Sequence, residues 1–418
     1  MTITLRNDKG DTLTHTELDN NFVDLNDRLS SLEATALAGL GLVFISQESD
    51  FDVQDTTTIT LETKKVYFLA GDITTSKRFI VEDGAVLTAY NSFGVVLTYT
   101  GTDPMFSGTD VSFTVREVVL DSPNAETFNF EDTVGGVKLF VANSTRVNSC
   151  TKLGTFDDLQ TVQFINSATV LSDDGITVTG SNVLILSIDK LAMTSTDASF
   201  IGIDIGTSVI ANIEMDNLYM NGPTGSIGIS GTTASGNVPS GQIATLSNSS
   251  FVGNLTPLSG ISSDDIRWLF SRNTPIPDTL EDALVSLTSN ATETVISTSS
   301  TPVKATGTWV VQRASHFTAD TTGKVTYKGE RTLTVPVDIS TTISAASGSN
   351  KDIAIYLAVN GTVISATALS NLVGSGDPRN TGITWQVSLD TDDYLELFVE
   401  NNTDTVNLIV ENAVLRVK

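Results

Sequence analysis

Adjacent acidic residues are the side chains of this sequence best suited to chemistry. Two carboxylates about 5–9 Å apart across a sugar linkage can cleave a glycosidic bond, one of them serving as the acid. Neighbours on a strand point to opposite faces, so a doublet within a strand cannot form that pair. Most doublets stand beside Gly, Thr or Ser, where Asp typically binds backbone amides in turns. The doublets are Glu131-Asp132, Asp157-Asp158, Asp173-Asp174, Asp264-Asp265, Glu281-Asp282 and Asp392-Asp393.

The doublets therefore predict turns, and we expect no catalytic residue among them. If a pair does act, the best candidates are Asp157, Asp173 and Asp174, which we place in loops of successive repeats. Catalysis by a Cys/His pair is not expected, because Cys150, His15 and His316 fall in three different parts of the chain. We expect Cys150 to be a buried residue of the repeats and His316 to be a strand residue.

The sequence also predicts no metal and no cofactor. A single cysteine excludes CxxC metal sites and intrachain disulfides. The acidic stretch Asp390–Glu396 lacks the Gly at the sixth position and the Glu at the twelfth that an EF-hand loop needs. The glycine-rich stretches at 202–206 and 222–241 lack the GxxxxGK[ST] pattern and basic residues, so they do not bind phosphate.

Composition narrows the partners. The chain of 418 residues has 23 basic and 49 acidic residues, a net charge of −26, which repels nucleic acid and anionic lipid. No stretch approaches the ~18 apolar residues of a membrane span, and Met1–Gly10 lacks the apolar region of a signal peptide. We therefore expect no nucleic-acid partner and no membrane insertion. The abundance of Thr, Ser, Val, Ile, Gly and Asn predicts a mostly β protein.

The stretch at 18–40 has a heptad pattern. A helix this short is marginal alone, so the pattern predicts a coiled coil completed by sister chains in a homo-oligomer. An amphipathic helix packed on its own chain remains the alternative. The predicted seam is Leu18, Phe22, Leu25, Leu29 and Leu32, and it continues to Ala36.

The stretch Leu13–Phe22, followed by Leu25-Asn26, resembles the LTxxELDxNFxxLN opening of bacteriophage tail fibres and tailspikes. The resemblance implies that residues 1–17 are a virion-attachment peptide that binds other tail or adaptor proteins. It also implies that the helix that follows is trimeric. The residues that carry the motif are Leu13, Thr14, Glu17, Leu18, Asp19, Asn21 and Phe22.

Residues 42–272 contain short strands that repeat. In the later repeats, second strands lie 22 to 32 residues apart, which is about one coil of a parallel β-helix. The short strands near its start would also suit a sandwich. The order of strands resembles the right-handed β-helices of phage tail proteins. We expect Ile266–Phe270 to cap the repeats as an apolar plug and Asn221–Gly241 to be an exposed insertion. The second strands are centred near Val147, Val170, Ala192, Tyr219 and Phe251.

Residues 273–301 predict a short helix and a linker. Asp278 is a suitable N-cap with Glu281 three residues later, and the helix would run to Asn290. A Ser/Thr-rich connector follows.

Residues 302–418 alternate apolar and polar side chains over roughly eight strands, which predicts an antiparallel jelly roll. Asn360-Gly361 predicts a type I′ hairpin turn. The run that begins at Gly307-Thr308-Trp309 resembles the trimeric TNF/C1q-like jelly rolls at the distal ends of phage fibres.

Together these resemblances imply a homotrimeric structural appendage of a virion that adheres to a glycan or protein of the host surface. The loop Asn371–Asn380 is the expected contact, together with loops of the repeats. Two alternatives stay open: a polysaccharide depolymerase tailspike, and a decoration fibre of the head or collar.

Overall fold

The structure is a computed structural model that describes residues 41–89, 94–181, 183–232, 236–263 and 265–418. The predicted attachment motif at 13–22 and the heptad seam at 18–36 lie outside the described residues. Within these ranges the chain is almost entirely β, with two 3-10 turns, Glu48–Asp50 and Ser365–Thr367. The described part contains no helix long and apolar enough to cross a membrane.

The first strands of the chain are short, and most alternate buried and partly exposed residues. They are β1 (Leu42–Ile45), β2 (Thr58–Leu61), β3 (Val66–Leu69), β4 (Ile73–Thr75), β5 (Arg78–Val81), β6 (Ala85–Ala89), β7 (Val96–Tyr99), β8 (Phe106–Thr109), β9 (Phe113–Arg116), β10 (Val119–Glu131), β11 (Leu139–Asn143), β12 (Arg146–Asp157), β13 (Thr161–Thr179), β14 (Ile185–Thr194), β15 (Ile201–Asp204), β16 (Asn212–Asp216), β17 (Tyr219–Gly222), β18 (Ile227–Ser230), β19 (Ala244–Ser247), β20 (Ser250–Gly253), β21 (Thr256–Ser259) and β22 (Trp268–Ser271).

The remaining strands belong to the C-terminal part. They are β23 (Asp282–Leu287), β24 (Glu293–Thr294), β25 (Val303–Lys304), β26 (Val310–Ser315), β27 (Phe317–Ala319), β28 (Val325–Tyr327), β29 (Leu333–Ala345), β30 (Lys351–Val359), β31 (Thr362–Val363), β32 (Leu369–Val373), β33 (Arg379–Leu389), β34 (Tyr394–Asn401) and β35 (Leu408–Val417).

The chain divides into two compact units. The first, which we call the solenoid unit, contains the described residues up to Thr232 and Ser249–Ser259. The second, which we call the sandwich unit, contains the described residues of 233–248 and 260–418.

The strands of the solenoid unit pair in three parallel ladders, so the predicted parallel β-solenoid is confirmed. The first ladder runs β1, β3, β6, β9, β11, β13, β14, β16. The second runs β4, β7, β10, β12, β13, β14, β17, β20. The third runs β2, β5, β8, β10, β12, β13, β15, β18, β21. Partners in the first ladder lie 20 to 28 residues apart, which is the length of one coil.

Stacked aromatic rings fill the interior of the solenoid unit. Ring centroids of Phe79 and Phe106 lie 4.9 Å apart, and those of Phe106 and Phe128 lie 5.8 Å apart. Phe140, which is fully buried, contacts the rings of five other phenylalanines from neighbouring coils. Because each ring packs on the coils above and below, the interior is continuous through the stack.

Corner residues set the register of the coils. A single residue in the left-handed region follows the strand of the first ladder in five coils, and its φ lies between 49° and 58°. The predicted coil alignment was therefore correct in order but displaced by up to three residues. For example, Val162 pairs with Leu186 rather than with Leu184. The corner residues are Glu117, Ser144, Asn166, Lys190 and Asn217.

Two predicted segments differ from the structure. Ile266–Phe270, expected to be an apolar plug, contains strand β22, which pairs in parallel with β19 and buries Trp268 and Phe270. Asn221–Gly241, expected to be an exposed insertion, contains strand β18. Gly228 of β18 is packed against the ring of Phe251, where a side chain would clash, so this glycine marks close packing rather than a loop.

The rest of the sandwich unit has two antiparallel sheets around one core. One sheet has the order β26-β23-β35-β29-β33, with β24 beside β35. The other has the order β27-β28-β34-β30-β31, with β25 beside β34 and β32 beside β30. Asn360 and Gly361 join β30 to β31 with φ values of 53° and 74°, the signs that a type I′ turn requires. The hairpin prediction is confirmed.

The predicted helix from Asp278 to Asn290 was wrong, because this segment contains strand β23. Ala283, Val285 and Leu287 alternate into the core, and β23 pairs with both β26 and β35. The capping signal at Asp278 was outweighed by this alternation, since pairing on both edges decides the conformation of a short segment.

Removing the central ring of the solenoid unit should be costly. We expect Phe140→Ala to lower the free energy of unfolding of this unit by about 3 to 5 kcal/mol, because it removes the contacts and leaves a cavity. Guanidinium denaturation followed by circular dichroism, with hydrogen exchange in the β9, β11 and β13 peptides, measures the effect.

Val137→Ala is the matched control, because Val137 is 72% exposed. It should change stability by no more than about 0.5 kcal/mol. Equal losses in the two variants would contradict the stacked-core interpretation.

Candidate functional site

The acidic doublets at one corner of the solenoid unit lie in register with one another. Glu131 ends β10 and pairs with Asp157 at the end of β12. Neighbouring strands lie about 4.8 Å apart, so these two side chains start from adjacent positions on successive coils. We call this corner the acidic ledge. It contains Asp110, Glu131, Asp132, Asp157 and Asp158.

Carboxylates of the acidic ledge accept hydrogen bonds from other coils. The Thr109 hydroxyl donates to Glu131 Oε1 at 2.9 Å, and the Thr179 hydroxyl donates to Asp157 Oδ1 at 2.7 Å. These threonines flank the acidic pair in the same ladder. The ledge therefore already uses its carboxylates as acceptors for hydroxyl groups.

Asp110 is held in its ionised form. The backbone N–H of Thr133 donates to its carboxylate at 2.6 Å, and the Thr133 hydroxyl adds a second hydrogen bond. These hydrogen bonds lower the pKa of Asp110 below its ordinary value. A general acid needs the opposite shift, so Asp110 is suited to accept protons in hydrogen bonds and not to donate one.

A cleft of about 490 Å³ adjoins the acidic ledge on the solenoid unit. Glu131, Thr109 and Asn129 line it together with Glu82 and Asp83. Asp83 accepts hydrogen bonds from the backbone N–H of Ser112 and from Lys138, and these lower its pKa. The cleft thus presents acceptors from several successive coils.

The candidate trio Asp157, Asp173 and Asp174 is not brought together, and the prediction that they lie in loops was wrong. Asp157 ends β12, whereas Asp173 and Asp174 lie inside β13. In the ladder, Asp174 pairs with Lys152, five positions before Asp157. Strands β12 and β13 continue through this region with their hydrogen bonds to each other intact, so no loop forms there.

Sequence reasoning missed the pairing of Glu131 with Asp157, although a signal exists. Both doublets follow a buried phenylalanine, Phe130 in one coil and Phe156 in the next, and these phenylalanines also pair. A repeated Phe-acid-Asp pattern one coil apart would have aligned them.

The cysteine prediction is confirmed and the histidine prediction is not. Cys150 is buried in β12 with its Sγ 3.2 Å from Ser172 Oγ, and burial raises the pKa of its thiol to about 11. His316 lies between β26 and β27 with a φ of 56°, so it is a turn residue rather than a strand residue. His15 lies outside the described residues.

The doublet Glu281-Asp282 belongs to a buried ionic cluster of the sandwich unit. Arg331 donates two hydrogen bonds to the Glu281 carboxylate, and His316 Nδ1 lies 3.7 Å from Glu281 Oε1. Burial raises the pKa of Glu281, but His316 and Arg331 outweigh it and the net shift is downward. Burial and the charge of Glu281 raise the pKa of Tyr327 to about 12. This cluster is occupied by its own ion pairs.

The other expected contacts are ordered by the protein's own groups. In Asn371–Asn380, Arg379 makes two hydrogen bonds to Asp377, at 2.7 and 2.8 Å. In Asp390–Glu396, the Asp393 carboxylate accepts from Asn360 and from the backbone of Asp390. Across the described ranges, no group of three His, Cys, Asp or Glu side chains has the spacing to hold a metal ion.

Comparison with known proteins gave likenesses of fold at low identity. No family model and no curated protein matches the chain. The chain is similar to the tailspike protein of Acinetobacter baumannii phage AM24, with 7% identity, a TM-score of 0.23, and coverage of 89% of this chain and 82% of that one. It is similar to the enzymatically active domain of bacteriophage CBA120 tailspike protein 4, with 10% identity, a TM-score of 0.18, and coverage of 84% and 64%. PRD1 vertex protein P5 is similar over 33% of this chain and 95% of its own, with 9% identity and a TM-score of 0.24.

The Glu281 cluster predicts an acid-sensitive stability of the sandwich unit. Because the pKa of folded Glu281 lies below its ordinary value of 4.5, its stabilisation is present above that value and is lost as the pH falls through the folded value. Thermal unfolding between neutral pH and pH values below 4.5 should show a smaller acid-induced decrease in Glu281→Gln than in the wild type.

Glu117→Gln is the control, since Glu117 is exposed on the solenoid unit and should leave the acid response of the wild type unchanged. An identical acid response in Glu281→Gln and the wild type would refute the role of this cluster.

The buried thiol gives an independent check of the solenoid core. We expect Cys150 in the native protein to resist alkylation by iodoacetamide at neutral pH, because the thiolate is the reactive form and the pKa is about 11. Labelling should become complete in guanidinium. Rapid labelling of the native protein, read by intact mass, would place Cys150 at the surface.

Proposed function

We propose that this chain is a bacteriophage virion appendage, a tail fibre or tailspike, that adheres to the host surface. The observation that carries the proposal is the presence of a parallel β-solenoid unit and an antiparallel sandwich unit in one chain, after the motif at 13–22. The solenoid unit supplies a rigid scaffold in which each coil supports the next. Residues 1–17 would attach the chain to another virion protein.

The proposed working form is a homotrimer, with the seam Leu18, Phe22, Leu25, Leu29 and Leu32 at its N-terminal end. Support comes from one face of the sandwich unit. Strand residues there are small or apolar: Ser286 pairs with both Val310 and Val414, and the row continues through Ser340 to Gly382.

This face of the sandwich unit is suited to close contact with a sister chain. Val310 is 51% exposed and Val414 is 37% exposed. A face of short side chains lets backbones approach closely, and exposed apolar residues gain free energy when a second copy covers them. Three copies on one particle would also turn a weak receptor contact into avidity.

A glycan is the receptor class that the acidic ledge and its cleft support. Glu131 and Asp157 already accept hydrogen bonds from threonine hydroxyls, and sugar hydroxyls offer the same donors. The ledge and the net charge of −26 disfavour polysaccharides dense in carboxylates or phosphates. Neutral or amino sugars are the better match.

A second candidate function is cleavage of that glycan. The register pairing of Glu131 with Asp157 on adjacent coils favours it, because retaining glycosidases use carboxylates about 5 Å apart. In that case one carboxylate would attack the sugar and the other would protonate the leaving oxygen.

Native mass and glycan binding test the proposal together. The purified full chain of 44.3 kDa should have three times that mass in native mass spectrometry. It should bind surface polysaccharide preparations from a panel of bacteria, and Glu131→Gln with Asp157→Asn should weaken that binding. Thr109→Val tests the neighbouring hydroxyl without removing a carboxylate.

The outcomes separate the functions. A single-chain mass contradicts the trimer, and binding to none of the polysaccharides or cells contradicts glycan adhesion. Shortening of the bound polysaccharide, lost in the carboxylate variants, shows the depolymerase. Antibody-labelled electron microscopy that finds the chain on the head or collar replaces the tail location.

A further inference from the structure

Three side chains at one end of the sandwich unit have the arrangement of an acyl-transfer centre. Asp404 joins an amine to an amide: Lys351 Nζ donates a hydrogen bond to Asp404 Oδ2, and Asn401 Nδ2 donates to Asp404 Oδ1 at 3.0 Å. One carboxylate therefore lies between a nucleophilic nitrogen and the nitrogen that would leave.

The backbone brings the amine and the amide to the same face of one sheet. Lys351 begins β30 and Asn401 ends the adjacent strand β34, in which Asn401 pairs with Ile353. Lys351 and Ile353 are two residues apart on β30, so the side chains of Lys351 and Asn401 point to the same side. Diagonal neighbours of this kind are within reach of a long side chain.

The Asn401 amide is polarised and shielded from water. Its Oδ1 accepts hydrogen bonds from the backbone N–H groups of Thr403 at 2.9 Å and Asp404 at 3.3 Å. Two such donors stabilise negative charge on an oxygen, as in an oxyanion hole. Asn401 is fully buried, and the Lys351 side chain is 15% exposed. Water competes poorly at such a site.

We propose that Lys351 and Asn401 form an intramolecular isopeptide bond, with Asp404 moving the protons. The side-chain amide of Asn401 is the acyl donor and the amine of Lys351 is the acceptor. The product is a covalent link between strands β30 and β34.

The reaction balances without an oxidant or a cofactor. The Asp404 carboxylate takes a proton from the Lys351 ammonium, and the Nζ lone pair attacks Cγ of Asn401. Negative charge develops on Oδ1, where the Thr403 and Asp404 N–H groups stabilise it. When the carbonyl re-forms, the bond between Cγ and Nδ2 breaks. Nδ2 receives the proton held by Asp404 and a second proton from Nζ, and it leaves as ammonium.

The charge state of Asp404 agrees with its role as the proton carrier. The hydrogen bond from Lys351 lowers the pKa of Asp404 below its ordinary value, so the carboxylate is ionised and able to accept a proton. The site also exists independently of any receptor, because its three side chains lie within the sandwich unit. A failure of the adhesion proposal would leave this inference untouched.

Intact mass of the full chain is the direct test. After storage in neutral buffer and denaturation, the wild type should weigh less than its sequence by one molecule of ammonia. Peptide mapping should recover Lys351 and Asn401 in a single branched peptide that trypsin does not cleave after Lys351. Lys351→Arg keeps the positive charge but removes the amine, so it should show the full sequence mass. Asp404→Asn should retain the fold and slow or abolish the loss.

Succinimide formation at Asn-Gly also releases ammonia, and Asn360-Gly361 and Asn221-Gly222 are such pairs. Mass loss that persists in Lys351→Arg, or that maps to those peptides, overturns the proposal. So does a wild-type mass equal to the sequence after prolonged storage. In that case the three side chains serve only to order the turn after β34. Thermal unfolding of each variant establishes that it has folded.

Discussion

A single coil of the solenoid unit cannot cover its own inward-facing side chains. Each coil contributes one layer, and the apolar surface is removed from water only where the next coil stacks on it. Phe140 shows this most directly, because its ring partners come from coils on both sides. The inward positions are therefore constrained to large apolar residues, while the corners can lengthen. This explains why coil length varies from 20 to 28 residues and the pairing nevertheless continues.

The order of coils was readable from sequence because the inward positions repeat, but their register was not. Register depends on single left-handed residues at the corners, which include Glu117, Lys190 and Asn217. These residue types differ, so no motif marks the corner, and a one-residue displacement reverses which side faces inward. The same difficulty affected the candidate site: Asp173 and Asp174 look like a turn but remain within β13. The strand β23 was missed because its pairing partners are distant in sequence, and a capping signal is local.

The acidic ledge shows how the ladder register, more than the local sequence, positions side chains for function. Glu131 and Asp157 are 26 residues apart in sequence and adjacent in the ladder. Their separation is set by the spacing of the strands, and their hydroxyl partners, Thr109 and Thr179, occupy the neighbouring positions of the same ladder. A scaffold of this kind presents acceptors at a fixed interval, which pre-organises them for a repeating ligand. Carboxylates that are already hydrogen-bonded also tolerate one another better than bare charges would.

The sandwich unit depends on contacts between distant parts of its sequence. Strand β35 (Leu408–Val417) lies between β23 and β29, and Ala283 pairs with Val417, which is fully buried. The first sheet therefore cannot close until the β35 segment has been synthesised, although most of its other strands are present earlier. Pairings of this separation form slowly, because the loop must be closed before any contact is gained. The solenoid unit has the opposite property, since each coil finds its partner within about 28 residues. Local stacking can thus begin during synthesis, whereas the sandwich unit forms as a single late event.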